Sequence, residues 1–295
     1  MRSAPILFYI IGIAVFCAMD AVMKLLVEGH SAIVATLWRY LSAVFFTGLI
    51  WLGSGRPRIT REMLPVHLLR GAVIALSATL FFWSLGVLPL AQVVTIAFIA
   101  PLLIPPIASA LLNERMQPGS VIAGLIGFLV VIVAVGFDPA TLSQEKLMGV
   151  GAVLISATAY ALTVVLMRMR AAKDGPAVLS LLGAVIPALV ILPVALMVAP
   201  ARDILPAGIN WFWVGLAGLF GAIALQFLAR AYARAEAQVL APFEYTALVW
   251  AALFGWLFFS EPVSLRTWAG AVIIAGACLW QTRQQAPIAP SNPAA

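Results

Sequence analysis

A few charged side chains inside long apolar runs are the first candidates for chemistry in this sequence. Asp20 and Lys24 lie four residues apart, so on a helix they share one face. One interpretation is an internal ion pair between them. In the other, Asp20 faces a cavity together with Phe16 and Met19 and binds a substrate amine, while Lys24 extends toward the helix end as a gating or structural charge.

Glu244 is the second candidate, because it follows Pro242 by two residues in an apolar run. A proline frees a backbone carbonyl and loosens a helix, and loosened backbone inside a membrane survives only beside protein or water. An acid at such a point could hold an amine in a wet cavity or take up a proton. A structural pair with Arg39, Arg70 or Arg230 is the remaining alternative.

Two arginines and a set of neutral side chains complete the candidates. Arg39, beside Trp38, is more typical of a clamp between helices or an outer gate than of a substrate ligand. Arg70 is predicted to extend its side chain to lipid phosphate. Polar side chains at helical spacing (Ser156, Tyr160 and Thr163; Gln92 and Thr95; Ser77 and Ser84; and Gln226 alone) either join helices or line a cavity. A flat or apolar cargo would suit a pocket of aromatic rings, for which the candidates are Trp83, Phe98, Tyr160 and Tyr245.

Composition shows which kind of element must carry these residues. Hydrophobic residues make up 64% of the 295, charged residues 9%, and the mean hydropathy is +1.09. A soluble domain carries roughly 25% charged residues, so this chain cannot cover itself with polar surface. Cys17 and Cys278 each stand alone in an apolar run and are predicted to be buried thiols.

The fold class predicted is an all-α integral membrane protein with ten transmembrane helices. A span needs about 20 apolar residues, and the runs lack the alternation of barrel strands. The predicted spans are 5–26, 33–52, 66–87, 90–111, 119–137, 147–168, 177–199, 210–229, 240–259 and 266–282.

The basic residues predict the orientation of these spans. With the N-terminus in the cytoplasm, the cytoplasmic face would collect more Lys and Arg than the other face, so both termini are expected to be cytoplasmic. That face has Arg2, Arg56, Arg58, Arg61, Arg70, Arg115, Arg168, Arg170, Lys173, Arg230, Arg234 and Arg283, against Lys24, Lys146, Arg202 and Arg266 on the other. The positive charge therefore orients the chain in a membrane and does not indicate a nucleic-acid partner.

One phrase occurs twice and divides the chain. AQVVTIAFIAPLL begins at Ala91 and AQVLAPFEYTALV at Ala237; each copy contains a proline, Pro101 or Pro242, that we predict to be a hinge. The predicted units are 1–140 and 141–285, each of five helices, followed by a disordered tail, 286–295. Because five is odd, the second unit would be inserted upside down, as in many secondary transporters whose substrate site lies between inverted repeats.

Six stretches of the sequence resemble one known family, and they extend over nearly the whole chain. It resembles the EamA-type ten-helix exporters of the drug/metabolite transporter superfamily in AMDAVMK (18–24), LWRYLSA (37–43), LLRGAV (68–73), FFWSLGVLPLAQVVTIAFIAPLL (81–103), LLNERM (111–116) and FFSEPVSLRTWAGAVII (258–274). The second repeat lacks the pair Trp38-Arg39 of the first. The resemblance implies two tandem repeats, a cavity lined by helices 1, 3, 4, 6, 8 and 9, and export of small metabolites without ATP.

Among the members of that superfamily, the branch that exports aromatic and other neutral amino acids is compatible with this sequence. The expected function is export of such amino acids from the bacterial inner (plasma) membrane by a monomer that contacts membrane lipid. The alternative is a carrier for another metabolite or drug-like cation, purine-type or S-adenosylmethionine-like, in either direction. We expect that the chain is not an enzyme and that it has no cofactor and no metal site. The sequence has no P-loop, and its two histidines lack the spacing of a zinc site.

Overall fold

The computed structural model describes residues 3–88, 93, 96–112, 116, 118–135, 143–199, 204, 210–259, and single positions at 269, 272, 273, 276 and 280. These residues form helices and no strands. The helices are α1 (Ser3–Gly29), α2 (Ala32–Gly53), α3 (Leu64–Val87), α4 (Ala100–Leu112), α5 (Pro118–Val135), α6 (Gln144–Val198), α7 (Trp211–Tyr232), α8 (Ala237–Leu240), the 3-10 helix Ala241–Thr246, and α9 (Ala247–Phe259).

The predicted all-helical membrane architecture is confirmed in its coarse form. Six stretches of the described chain are long and apolar enough to cross a membrane: Ala4–Val27, Ala32–Gly53, Leu64–Ser84, Gln144–Val198, Trp211–Tyr232 and Ala241–Phe259. Most of the predicted tenth span, 266–282, and most of the start of the fourth lie outside the residues described, as do Gln92 and Thr95.

Helix α6 is long enough for two crossings because it bends at one glycine. Its 55 residues would extend about 80 Å if straight, against a hydrocarbon core of about 30 Å. Gly175 has φ +74° and ψ 161°, a conformation that essentially only glycine adopts, and Pro176 then begins the second limb. The limbs 144–174 and 176–198 therefore correspond to the predicted sixth and seventh spans.

Close helix packing joins α7 to the first two helices of the chain. Helix α7 packs against α1 and α2, and α3 packs against α6. A Cβ on Gly218 of α7 would overlap Ser42 of α2, and one on Gly12 of α1 would lie 3.0 Å from Leu228 of α7. Small residues at these points let the helix axes approach each other. In a membrane the lipid is as apolar as the helices, so close van der Waals packing and not the hydrophobic effect drives their association.

Both copies of the repeated phrase fall where the α-helix is interrupted. In the second copy, four residues of α8 pass into the 3-10 helix before α9 begins. In the first, residues 98 and 99 form a turn before α4, with hydrogen bonds of 3.1 Å from Ile99 N to Ile96 O and from Leu102 N to Ile99 O. Hydrogen bonds over three residues are those of 3-10 structure, so both regions are wound more tightly than an α-helix.

Candidate functional site

One cavity of about 230 Å³ lies between helices from both halves of the chain. Helices α1, α2, α3, α4, α6, α7 and α9 and the 3-10 helix all contribute to its wall. Most of the wall is apolar, and its polar side chains are Asp20, Arg39, Tyr40, Arg70, Ser77, Ser156, Tyr160, Thr163, Tyr232 and Glu244. Apolar walls with a few converging polar groups are typical of small-molecule sites.

Glu244 is held in this wall by phenol groups. It is 9% exposed. The hydroxyl of Tyr160 donates to Oε1 of Glu244 at 2.5 Å, the hydroxyl of Tyr9 donates to Oε2, and the hydroxyls of Tyr9 and Tyr232 lie 3.0 Å apart. Charge-assisted hydrogen bonds of this kind stabilise a carboxylate away from water, and a carboxylate keeps further acceptor sites for a third donor.

Local sequence explains how the 3-10 helix aims this acid. Pro242 stands in its first turn, where the missing backbone N–H is not needed. Pro101 likewise stands in the first turn of α4, after the interruption at residues 98 and 99. Counted from each AQV, however, Pro101 is ten residues along and Pro242 five, so the two prolines do not occupy equivalent positions.

The true counterpart of Glu244 in the repeated phrase is Phe98, since each lies seven residues after the alanine of its AQV. Phe98 lines the cavity and is 5% exposed. Its ring centroid lies 5.4 Å from that of Tyr245, and its carbonyl accepts a hydrogen bond of 3.3 Å from the Tyr245 hydroxyl. The two interrupted segments therefore touch each other through Phe98 and the residue that follows the counterpart of Phe98, Tyr245.

Asp20 and Arg39 form a second charged region of the cavity. Both line it. Nε of Arg39 donates to Sδ of Met19 at 2.6 Å, and its guanidinium carbon lies 4.4 Å from the ring centroid of Tyr40. Among the described residues, Nη1 of Arg39 has no hydrogen-bond partner. Nζ of Lys24 lies 4.2 Å from the ring centroid of Phe259, near the end of α9.

The prediction for Arg70 was wrong. It does not extend to lipid: its side chain is 1% exposed, lines the cavity and donates from Nη1 to the carbonyl of Leu179 at 3.2 Å. The physical reason is a space on α6, where a Cβ on Gly183 would lie 3.1 Å from Nη2 of Arg70. The guanidinium fills the volume that a larger residue at 183 would take.

A pair of serines joins α3 to α6 within the cavity wall. Ser77 of α3 and Ser156 of α6 both line the cavity, and the Ser156 hydroxyl donates to the Ser77 carbonyl at 2.7 Å. Tyr160 and Thr163 follow on the same face of α6 and line the cavity too. The polar stripe predicted on this helix thus both joins helices and faces the site.

Four predicted site residues lie outside the cavity wall. Trp83 is 40% exposed, because the face of α3 toward the cavity is set by Ser77 and Phe81 and Trp83 points away from it. Met19 is fully buried under Arg39. Tyr245 packs behind Phe98, and Gln226 donates to Ser180 Oγ at 2.6 Å and to the carbonyl of Pro176 at 3.2 Å. Phe16, Asp20, Phe98, Tyr160 and Glu244 do line the cavity, as do Arg39 and Arg70.

Two features were not found from the sequence. Tyr9 was missed, although Tyr9, Phe16 and Asp20 follow one face of α1 at spacings of seven and four. The second feature is a buried ionic group beside the α6 bend. Asp174 is 3% exposed, accepts two hydrogen bonds of 2.7 Å from Arg170, and lies 2.8 Å from Nε2 of His67.

Known proteins are similar to this chain in sequence and in fold. The chain is 26% identical over 260 residues to a riboflavin transporter of Brucella anthropi (87% of this chain, 89% of that protein). It is 27% identical over 240 residues to an S-adenosylmethionine uptake transporter of Rickettsia felis (81% and 76%), and 25% identical over 293 residues to a pseudopaline exporter of Pseudomonas aeruginosa (96% and 97%). A crystal structure 19% identical in sequence superposes with a TM-score of 0.80 over 96% of this chain and 99% of its own, which shows a shared fold.

The model of the EamA-like transporter family matches the chain twice, at residues 4–136 and 147–282. These matches cover most of the chain, and they confirm the resemblance to the drug/metabolite transporter superfamily. With the apolar helices of the structure, they show a protein that passes through the membrane several times. The chain belongs to the EamA-like transporter family and is a membrane transporter.

Proposed function

We propose that this transporter exports small zwitterionic metabolites, specifically amino acids with apolar or aromatic side chains, across the bacterial inner membrane. The observation that carries the proposal is the cavity wall, in which aromatic rings surround a space that also has two acids and two arginines. A zwitterion offers one charge to each kind of group, and its side chain can pack against the rings.

Each lining residue has a role in this proposal. Asp20 and Glu244 meet the amine, and Glu244 can accept it as a third donor beside its two phenols. Phe16, Phe98 and Tyr160 shape the side-chain pocket. A volume of about 230 Å³ lies below the roughly 300–1,000 Å³ of sites for drug-sized ligands, which supports a cargo of amino-acid size.

The mechanism proposed is alternating access by two inverted five-helix repeats in one monomer. Support comes from the two family matches, 4–136 and 147–282, and from the interrupted segments that meet at Phe98 and Tyr245. The hinges are then these interruptions, next to Pro101 and within the segment of Pro242. Each repeat can exchange conformations with the other, so the open side of the cavity changes.

A second candidate function is carriage of a larger or cationic metabolite, including in the uptake direction. It is favoured by relatives named as riboflavin and S-adenosylmethionine transporters. S-adenosylmethionine combines an amino-acid group with a cationic sulfonium, and the acids of the cavity would suit that charge. Riboflavin would require a larger cavity in another state of the transport cycle.

The test is solute flux in liposomes that contain the purified chain. Labelled phenylalanine, leucine, aspartate, S-adenosylmethionine and riboflavin are measured one at a time, with and without a pH gradient. We expect flux of phenylalanine and leucine, and a loss of about tenfold or more for Glu244→Gln, which removes a charged partner of the amine. Glu145→Gln, an exposed acid at the start of α6, is the matched control and should keep the wild-type rate. Flux of riboflavin or S-adenosylmethionine alone would overturn the amino-acid proposal in favour of the second candidate.

The inverted arrangement has its own test. In a chain without Cys17 and Cys278, single cysteines replace Ser3 or Ser291 and are labelled with a membrane-impermeant maleimide in spheroplasts and in inverted vesicles. We expect both positions to react only in inverted vesicles, where the cytoplasmic face is outside. Labels on opposite faces would contradict the ten-helix proposal.

A further inference from the structure

Arg70 has a guanidinium whose hydrogen bonds are largely unmet. Among the residues described, Nη1 donates to the carbonyl of Leu179, whereas Nε and Nη2 are buried and have no partner. No described carboxylate oxygen lies within 4.0 Å of this side chain. Arg70 nevertheless lines the cavity.

A structural arginine in this protein looks different. Arg170 is 18% exposed and still has both oxygens of Asp174 as acceptors at 2.7 Å. Arg70 is more deeply buried and has, in the described part of the chain, one neutral acceptor. Removing a cation from water is costly unless an anion or several acceptors replace the water, so the described residues leave Arg70 without its main compensating partner.

The two unmet groups are adjacent and parallel. Nε and Nη2 form one edge of the planar guanidinium, and this edge can donate two parallel hydrogen bonds to the two oxygens of one carboxylate. On α6, the absence of a side chain at Gly183 lets the guanidinium lie where a Cβ would come within 3.1 Å of Nη2. The arrangement therefore has the donors for a planar anion and room for the guanidinium itself.

We propose that Arg70 binds the carboxylate of the transported molecule through Nε and Nη2. The inference rests on the proposed function, since it supplies the second charged end of a zwitterionic cargo. Glu244 and Asp20 then take the amine elsewhere in the same wall, and the cargo lies across the cavity between acid and arginine. The site should therefore select molecules with a free carboxylate, because an amine that lacks a carboxylate would leave Nε and Nη2 of Arg70 without a hydrogen-bond acceptor.

The test is calorimetric titration of the purified full chain in detergent with three ligands. Phenylalanine has both charges, phenethylamine lacks the carboxylate and 3-phenylpropionate lacks the amine. We expect Arg70→Gln to weaken binding of phenylalanine and 3-phenylpropionate by about tenfold or more, and to change that of phenethylamine by less than about twofold. Arg58→Gln, an exposed arginine of the α2–α3 connection, is the control and should bind all three as the wild type does.

Two further variants keep the test valid if Arg70→Gln fails to fold, which size-exclusion chromatography will show. Arg70→Lys keeps the charge and loses the paired donors, and Gly183→Ala keeps the arginine and displaces it. Both variants should weaken the binding of phenylalanine and 3-phenylpropionate and leave that of phenethylamine nearly unchanged. Equal weakening of phenethylamine, or no weakening, would overturn the inference.

The outcome for the wild type separates this inference from the proposed function. Suppose that the wild type binds 3-phenylpropionate but not phenylalanine, and that Arg70→Gln abolishes this binding. That result would contradict amino-acid transport and support the carboxylate site. Binding of phenylalanine that Arg70→Gln leaves unchanged would support the function and overturn the site. Failure to bind any of the three ligands would overturn both.

Discussion

Replacement of Tyr160 by phenylalanine should destabilise the protein more when residue 244 is a glutamate than when it is a glutamine. The Tyr160 hydroxyl donates to Oε1 of Glu244 at 2.5 Å, and the acid is 9% exposed. A hydrogen bond to a charged group contributes about 1.5–3 kcal/mol and a neutral one about 0.5–1.5 kcal/mol. Tyr160→Phe should therefore cost about 1 kcal/mol more in the wild type than in Glu244→Gln.

The assay is a double-mutant cycle measured by thermal unfolding in one detergent at one protein concentration. A difference of about 1 kcal/mol corresponds to about 2–4 °C in Tm for a chain of somewhat smaller size. Tyr245→Phe is the control, because its hydroxyl donates to the carbonyl of Phe98, and its loss should be equal in both backgrounds. If Tyr160→Phe costs the same with glutamate and glutamine, the phenol does not serve a charged carboxylate and this account of the acid fails.

Three further stability predictions follow from the helix geometry. Gly175→Ala should lower the free energy of unfolding by about 1–3 kcal/mol, because φ is +74° at this position. The control is Gly215→Ala, which should raise the free energy of unfolding by up to about 1 kcal/mol, because a Cβ there would meet no other atom within 4 Å. Gly218→Ala should lower Tm relative to Gly215→Ala, since its Cβ would force α7 away from α2. Asp174→Asn should lower the free energy of unfolding by less than the about 3–5 kcal/mol expected for a fully buried ion pair, because the side chain of Arg170 is 18% exposed. A decrease no greater than that caused by Glu145→Gln would contradict a structural role for Asp174.

The coarse architecture could be predicted from the sequence because a membrane gives a helix few alternatives. Apolar runs of sufficient length predicted the helices, and the gap between the sixth and seventh predicted spans falls at the bend of Gly175. The acid after Pro242 lies in the cavity wall, and its segment is a 3-10 helix and not a kinked α-helix. These features depend on local sequence alone.

The errors concern direction around a helix and contacts from the other half of the chain. Trp83 lies at a suitable depth, yet the rotation of α3 turns Phe81 inward and Trp83 outward. The burial of Arg70 depends on Gly183, more than a hundred positions away in the sequence, and no local pattern reveals that space. Tyr9, at the start of the first span, has the sequence context of an interfacial anchor until the fold brings Glu244 to it.

The proposed mechanism accounts for the fact that only one copy of the repeated phrase contains an acid. Phe98 and Glu244 share a register, and Phe98 meets Tyr245, the neighbour of that acid, on one side of the cavity. Inverted repeats need equivalent backbones so that each half can adopt the conformation of the other. They do not need equivalent side chains, because a cargo with one amine and one apolar group is itself asymmetric. Under the proposed inverted-repeat mechanism, a ring at 98 and a carboxylate at 244 would therefore keep the backbone exchange possible while they give the cavity one orientation for the proposed cargo.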